Sequence, residues 1–182
     1  MSLLSINGIR ALAMLAVLTG CASPSPSTPV SRPETVYAGT TALKINPDNG
    51  ATTKTLDAPL DRVWLRLPTA YDSVGIPLTL MDPRRHVMGN EGFKVRQTLA
   101  KRRLSGYFEC GSTQVGPNAD SYEVYLTILT TLEADGAQRT KMTTTVTAQA
   151  KPMQFAQDYS RCSSKSTLET RISDIVTAAV LK

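Results

Sequence analysis

The chain has 182 residues, 41% of them apolar, and a formal net charge of +5. That length and apolar content suit one folded domain with a short appendage, and no later stretch is long and apolar enough to cross a bilayer as a helix. Aromatic residues make up only 5% of the chain and do not interleave with the basic ones, so stacking platforms for single-stranded nucleic acid are excluded and no nucleic-acid partner is expected.

The amino terminus carries an export pattern. Arg10 and the free amino group supply a positive flank, and Ala11 to Leu18 form a short apolar run. The run closes on Leu18-Thr19-Gly20-Cys21, which resembles the lipobox of a bacterial lipoprotein signal. The resemblance implies that residues 1–20 are a signal peptide and that cleavage falls before Cys21. It also implies lipidation of Cys21, with palmitate-type acyl chains on its thiol and new amino group. Several chains together make a firm membrane anchor. The residue after the cysteine is Ala22 rather than aspartate, which in such lipoproteins implies the outer membrane, facing the periplasm. Residues 21–36 are then the acylated cysteine and its tether. Ala22 to Glu34 hold four prolines and four serines and almost nothing to bury, a semi-extended spacer.

Residues 37–182 are expected to form a single α+β domain. Val36, Tyr37, Leu43 and Ile45 mark β-capable chain before the turn cluster Asn46-Pro47-Asp48-Asn49-Gly50, and Thr52 to Leu56 form a second extended run. Asp57 is placed to cap a helix whose apolar face is Leu60, Val63, Trp64, Leu67 and Tyr71; Pro68 should kink or end it near Leu67. Ile76, Leu78 and Leu80 alternate as a short strand. After Asp82-Pro83-Arg84-Arg85, His86 to Asn90 can pair back on it. Val95 and Leu99 suggest a short basic helix running to about Leu104, and Tyr107 to Cys110 a brief extended piece.

The clearest sheet signal comes next. Tyr122, Val124, Leu126, Ile128, Thr130 and Leu132 share one strand face, Asp135-Gly136 turns the chain, and Thr140, Met142, Thr144, Val146, Ala148 and Ala150 continue on the partner. A final helix carries the stripe Leu168, Ile172, Ile175, Val176, Ala179 and Val180, with capping-box spacing between Ser166 and Glu169. With Cys21 acylated, Cys110 and Cys162 are left as a pair. In an oxidising exported compartment a disulfide between them is the expectation. Two cysteines 52 positions apart and one histidine make no zinc site, so neither metal nor cofactor is expected.

The element order places an antiparallel sheet of about four to six strands under helices on one face, and resembles the helix-grip fold of START-like proteins. Ala58-Pro59 followed by Val63-Trp64 and Leu67, then Gly75-Ile76, Gly89-Asn90, Leu104-Ser105-Gly106-Tyr107, Cys110-Gly111 and Leu168-Glu169 narrow the match. With the lipobox, they make the chain resemble the BamC-type lipoproteins of the outer-membrane β-barrel assembly machine. Those usually have two such domains and a longer leader; this chain has one.

Chemistry is sparse. His86 follows Arg84-Arg85 in a turn and has no nucleophile in a recognisable frame; Glu91, Glu109, Asp120 and Glu123 are scattered acids with no sugar-stacking aromatics beside them. No catalytic residues are assigned and no enzyme is expected. The polar anomaly is basic: Arg84, Arg85, Lys94, Arg96, Lys101, Arg102 and Arg103 stand against Glu91 alone between residues 84 and 103. They form the candidate docking face, for an acidic envelope protein or for anionic lipid or lipopolysaccharide phosphates. The reading is a lipid-anchored cell-envelope adaptor, with a role in outer-membrane protein assembly implied by the resemblance. Its alternative is a carrier of lipophilic ligands with a START-like cavity.

Overall fold

The computed structural model describes residues 34–38, 41–45, 51–154 and 156–181. The signal, the lipobox, the tether up to residue 33 and the turn cluster at 46–50 lie outside them. Strands β1 (Glu34–Ala38) and β2 (Thr41–Ile45) form an antiparallel hairpin. Its first strand begins inside the residues expected to be tether. Then follow β3 (Ala51–Leu56), α1 (Leu60–Ser73), β4 (Leu80–Asp82) and β5 (Val87–Arg96). Two short hairpins come next: β6 (Thr98–Leu99) with β7 (Arg102–Arg103), and, after a 3-10 turn (Leu104–Gly106) and β8 (Phe108–Glu109), β9 (Ser112–Thr113) with β10 (Gly116–Pro117). A short helix α2 (Asn118–Ser121) precedes the long hairpin β11 (Glu123–Ala134) and β12 (Thr140–Lys151); β13 (Ser160–Ser164) and α3 (Thr167–Val180) end the fold.

The architecture is α+β with one main antiparallel sheet, in the order β4-β5-β11-β12-β13-β8. The far edge of β12 is shared: β3 pairs with its first half, Thr140–Thr145, and β13 with Ala148–Ala150. The sheet therefore has seven strands, where four to six are expected. The unexpected strand is β13, too short and polar for apolar alternation to mark, while β8 falls within the extended piece expected at Tyr107 to Cys110. The Cys110–Cys162 disulfide is formed there. It joins the position next to the paired residues Ser163 with Glu109 and Ser164 with Phe108, so it extends a two-rung ladder by a covalent rung.

The long hairpin follows the alternation. Leu126, Ile128 and Leu132 pair with Ala148, Val146 and Met142 on the buried face, while Lys141 and Gln149 lie exposed on the other. Leu129 and Thr145, cross-strand partners, are buried on that second face. Val63, Leu67, Ala70 and Tyr71 of α1 and Leu168, Ile172, Val176 and Val180 of α3 join the buried strand residues in one core. The two helices touch each other; α1 also meets β11, and α3 meets β3 and β12.

Local expectations change where packing overrides them. Pro68 does not end α1, which runs on to Ser73. The missing backbone bond costs about 3 kcal/mol, and the burial of Ala70 and Tyr71 in the turn that follows offsets it. Asp57 does not cap the helix; Pro59 occupies that position, its carbonyl accepting from the Arg62 and Val63 amides. The strand expected from Ile76 is confined to Leu80–Asp82, since Pro77 has no amide to give a ladder. The capping box at α3 is not formed: Ser166 is left-handed at φ 56°, and Ser164, not Ser166, bonds the Glu169 carboxylate at 2.6 Å. Glu169 is fully buried and its second oxygen has no partner, so burial raises its carboxyl above the ordinary value, against the bond from Ser164.

Candidate functional site

The basic run divides into three groups. Arg84 and Arg85 sit in the turn between β4 and β5, where the Asp82 carboxylate accepts from both of their amides and Arg85 Nε lies 3.6 Å from it. Lys94 and Arg96 lie at the opposite end of β5. A ten-residue strand spans about 30 Å, so the two pairs do not share one face. The expected basic helix after Val95 is absent. Gln97, Ala100 and Lys101 all have φ near +50° to +63°, and the chain there is the β6–β7 hairpin. Arg102 lies over the Tyr107 ring, 5.5 Å from its centroid, and Arg103 reaches Asp120 at 3.5 Å. Burial raises the Asp120 carboxyl, but the Ser105 amide and hydroxyl and Arg103 outweigh it and hold the group below its ordinary value.

His86, the one histidine, places its ring edge-on to Trp64 at 5.8 Å between centroids. Its backbone carbonyl accepts from Leu132, so it is part of the packing at the strand end. Among the described residues no three His, Cys, Asp or Glu side chains come together as a metal site. No helix among them is long and apolar enough to cross a membrane.

One cluster does converge. Register puts Arg96 of β5, Glu123 of β11 and Lys151 of β12 directly opposite one another, with Lys94 opposite Tyr125 one step on. Side chains at i and i+2 of a strand share a face, so these residues meet on the side of the sheet away from Val124 and Leu126. Glu123 is only 6% exposed. Its Oε2 accepts from Arg96 at 2.6 Å; its Oε1 accepts from the Tyr159 hydroxyl at 2.7 Å and lies 3.1 Å from Lys94 Nζ. Lys151 Nζ stands 4.8 Å over the Tyr159 ring, and Tyr159 tilts against Tyr125. Gly92 makes room for Tyr125: a Cβ there would overlap the phenol oxygen.

The electrostatics follow. Arg96, Tyr159 and Lys94 pull the Glu123 carboxyl down to about 2. The same contacts hold Lys94 and Tyr159 above their ordinary values, through their bonds to Glu123 first. Lys94 and Arg96 hold the carboxylate and Lys151 lines the same depression, so three cations stand against one anion and the cluster keeps two positive charges in excess. Lys94 and Arg96 belong to the expected docking residues; Lys151 and Tyr159 do not stand out in the sequence. The signal available for Lys151 is the hairpin register, which sets it across from Glu123.

A pH dependence follows from Glu123. Its carboxylate is favoured in the folded state, so its stabilising contribution is full above the ordinary value of 4.5 and is lost as pH falls toward about 2. Glu123→Gln should be less stable than wild type at neutral pH. The gap in Tm should close as both are titrated from pH 5 to 2. A gap constant across that window refutes the assignment.

No protein-family model matches the chain, and no curated protein matches it.

Proposed function

We propose that this is a lipid-anchored cell-envelope protein of the outer membrane, facing the periplasm, whose folded unit is a non-enzymatic adaptor for envelope proteins. The single observation that carries the reading is the Cys110–Cys162 disulfide. Such bonds persist in exported, oxidising compartments, and this one agrees with the lipobox ending at Cys21 without depending on it. A helix-grip-like packing of α1 and α3 on one face of the sheet, a BamC-type kinship and a place in outer-membrane protein assembly belong to the same proposal. The polar groups best placed for chemistry are otherwise engaged: His86 packs on Trp64, Asp82 closes its own turn and Glu123 holds three donors.

A lipophilic-ligand carrier has less support. Tyr71, Met88, Leu126, Ile128, Met142, Leu168 and Ile172 are buried to within 2%, large side chains that pack the core and speak against a sizeable ligand cavity. Two measurements test the proposal. Fractionation should find wild type in the outer membrane and the Cys21→Ser variant released or uncleaved; wild type wholly in the soluble fraction refutes the anchor. Crosslinking in intact envelopes followed by affinity capture should recover a defined protein partner. A co-purifying lipid in stoichiometric amount, with no protein partner, would favour the carrier.

A further inference from the structure

We propose that the end of the sheet around Glu123 docks on a membrane surface that bears phosphate head groups. The proposal rests on side chains alone and stands whether or not Cys21 is acylated. Two depressions meet at Pro152 and Met153. The first, of about 280 Å³, is lined by Lys94, Arg96, Glu123 and Lys151. The second, of about 330 Å³, is lined by Val115, Tyr122 and neighbouring polar residues. Val115 is 88% exposed at the tip of the β9–β10 hairpin, and Met153 is 53% exposed beside the cations.

The carboxylate of Glu123 organises this site without exhausting it. Both its oxygens are occupied, and they hold Lys94 and Arg96 in place. An ammonium has three donors and a guanidinium five, so each cation keeps donors for an incoming anion. Lys151 adds a third cation from β12, held over the Tyr159 ring. Two unbalanced positive charges in a concave site suit a phosphate. The exposed apolar tip decides the source. Free phosphate gains nothing from Val115 and Met153, whereas a lipid surface offers an anionic head group and an apolar boundary side by side, matching both depressions.

The test uses the full chain carrying Cys21→Ser, with vesicle co-sedimentation as the readout. Binding to phosphatidylcholine vesicles sets the baseline contributed by the leader. Vesicles containing phosphatidic acid should bind more tightly than that baseline. Lys94→Ala and Lys151→Ala should each lower this excess about fivefold, the effect of one surface cation near anionic lipid. Lys141→Ala, a cation at the other end of β12, should leave it unchanged. Val115→Ser and Met153→Ser, both exposed and so harmless to folding, should weaken vesicle binding as well. Circular dichroism confirms that each variant is folded. Equal binding to both vesicle types, or an excess insensitive to Lys151→Ala, overturns the proposal. So does displacement from the vesicles by inorganic phosphate beyond that caused by sodium chloride of equal ionic strength, which would mark a free-anion site.

Discussion

Cys110→Ala should be the most damaging conservative substitution in the chain, lowering stability by about 4 kcal/mol. The bond spans a sequence separation of 52 and ties β8 to β13, two strands whose ladder has only two paired positions. With so few backbone bonds, the edge strand β8 does not hold its place by hydrogen bonding alone, whereas β13 is also paired with β12. Beside them Phe108 is buried in the core, and the Tyr107 carbonyl accepts from Lys165 just before α3, so loosening this edge also loosens the start of the last helix. For a domain of this size each kcal/mol moves Tm by about 2–4 °C, which puts the expected fall at about 8–16 °C. Thermal unfolding of wild type with and without reductant supplies the control: reduced wild type should match the variant. A variant within about 1 kcal/mol of oxidised wild type would show that the covalent rung constrains little that packing does not already hold.

Tyr71→Ala should cost about 3–5 kcal/mol, the usual range for removing a large buried aromatic side chain. Tyr71 is wholly buried on α1, and its hydroxyl ties the helix to two strands. It donates toward the Met88 carbonyl of β5 at 3.2 Å and shares a hydrogen bond of 2.8 Å with Thr130 of β11, which in turn bonds Thr144 of β12 at 3.0 Å. Burial drives the Tyr71 hydroxyl far above its ordinary value, so it stays neutral through any physiological pH. Tyr71→Phe separates the two contributions. It keeps the ring and removes the oxygen, and should cost about 1–2 kcal/mol, the worth of a buried hydrogen bond whose partners are left behind. Thr130 keeps Thr144 as a partner, which holds the loss at the lower end of what an orphaned group costs. Denaturant titration of the three proteins measures both steps; a Phe variant as unstable as the Ala variant would contradict this division.

The strongest elements were legible in the sequence because their signals are local and repeated. Period-2 alternation from Val124 to Ala150 and the apolar stripes of α1 and α3 each rest on several residues, and burial follows them. The pairing of Cys110 with Cys162 was legible for another reason: once Cys21 is set aside, only two cysteines remain to be joined. Shorter signals lost to tertiary packing. Val95 and Leu99 have helical spacing, but Val95 is committed to β5 by its pairing with Val124, and left-handed backbone at Gln97, Ala100 and Lys101 turns the rest into a hairpin. Pro68 should have ended a helix, yet the core contacts of Ala70 and Tyr71 carry the helix past it. The grouping of charges was beyond the sequence altogether. Residues 84–103 read as one basic run, and the length of β5 separates its ends. Arg96, Glu123 and Lys151 lie far apart in the chain, and only the antiparallel register of three strands places them side by side. Periodicity tells a residue which face it occupies; which residues stand opposite it is decided by loop length and strand order, and these are properties of the whole fold.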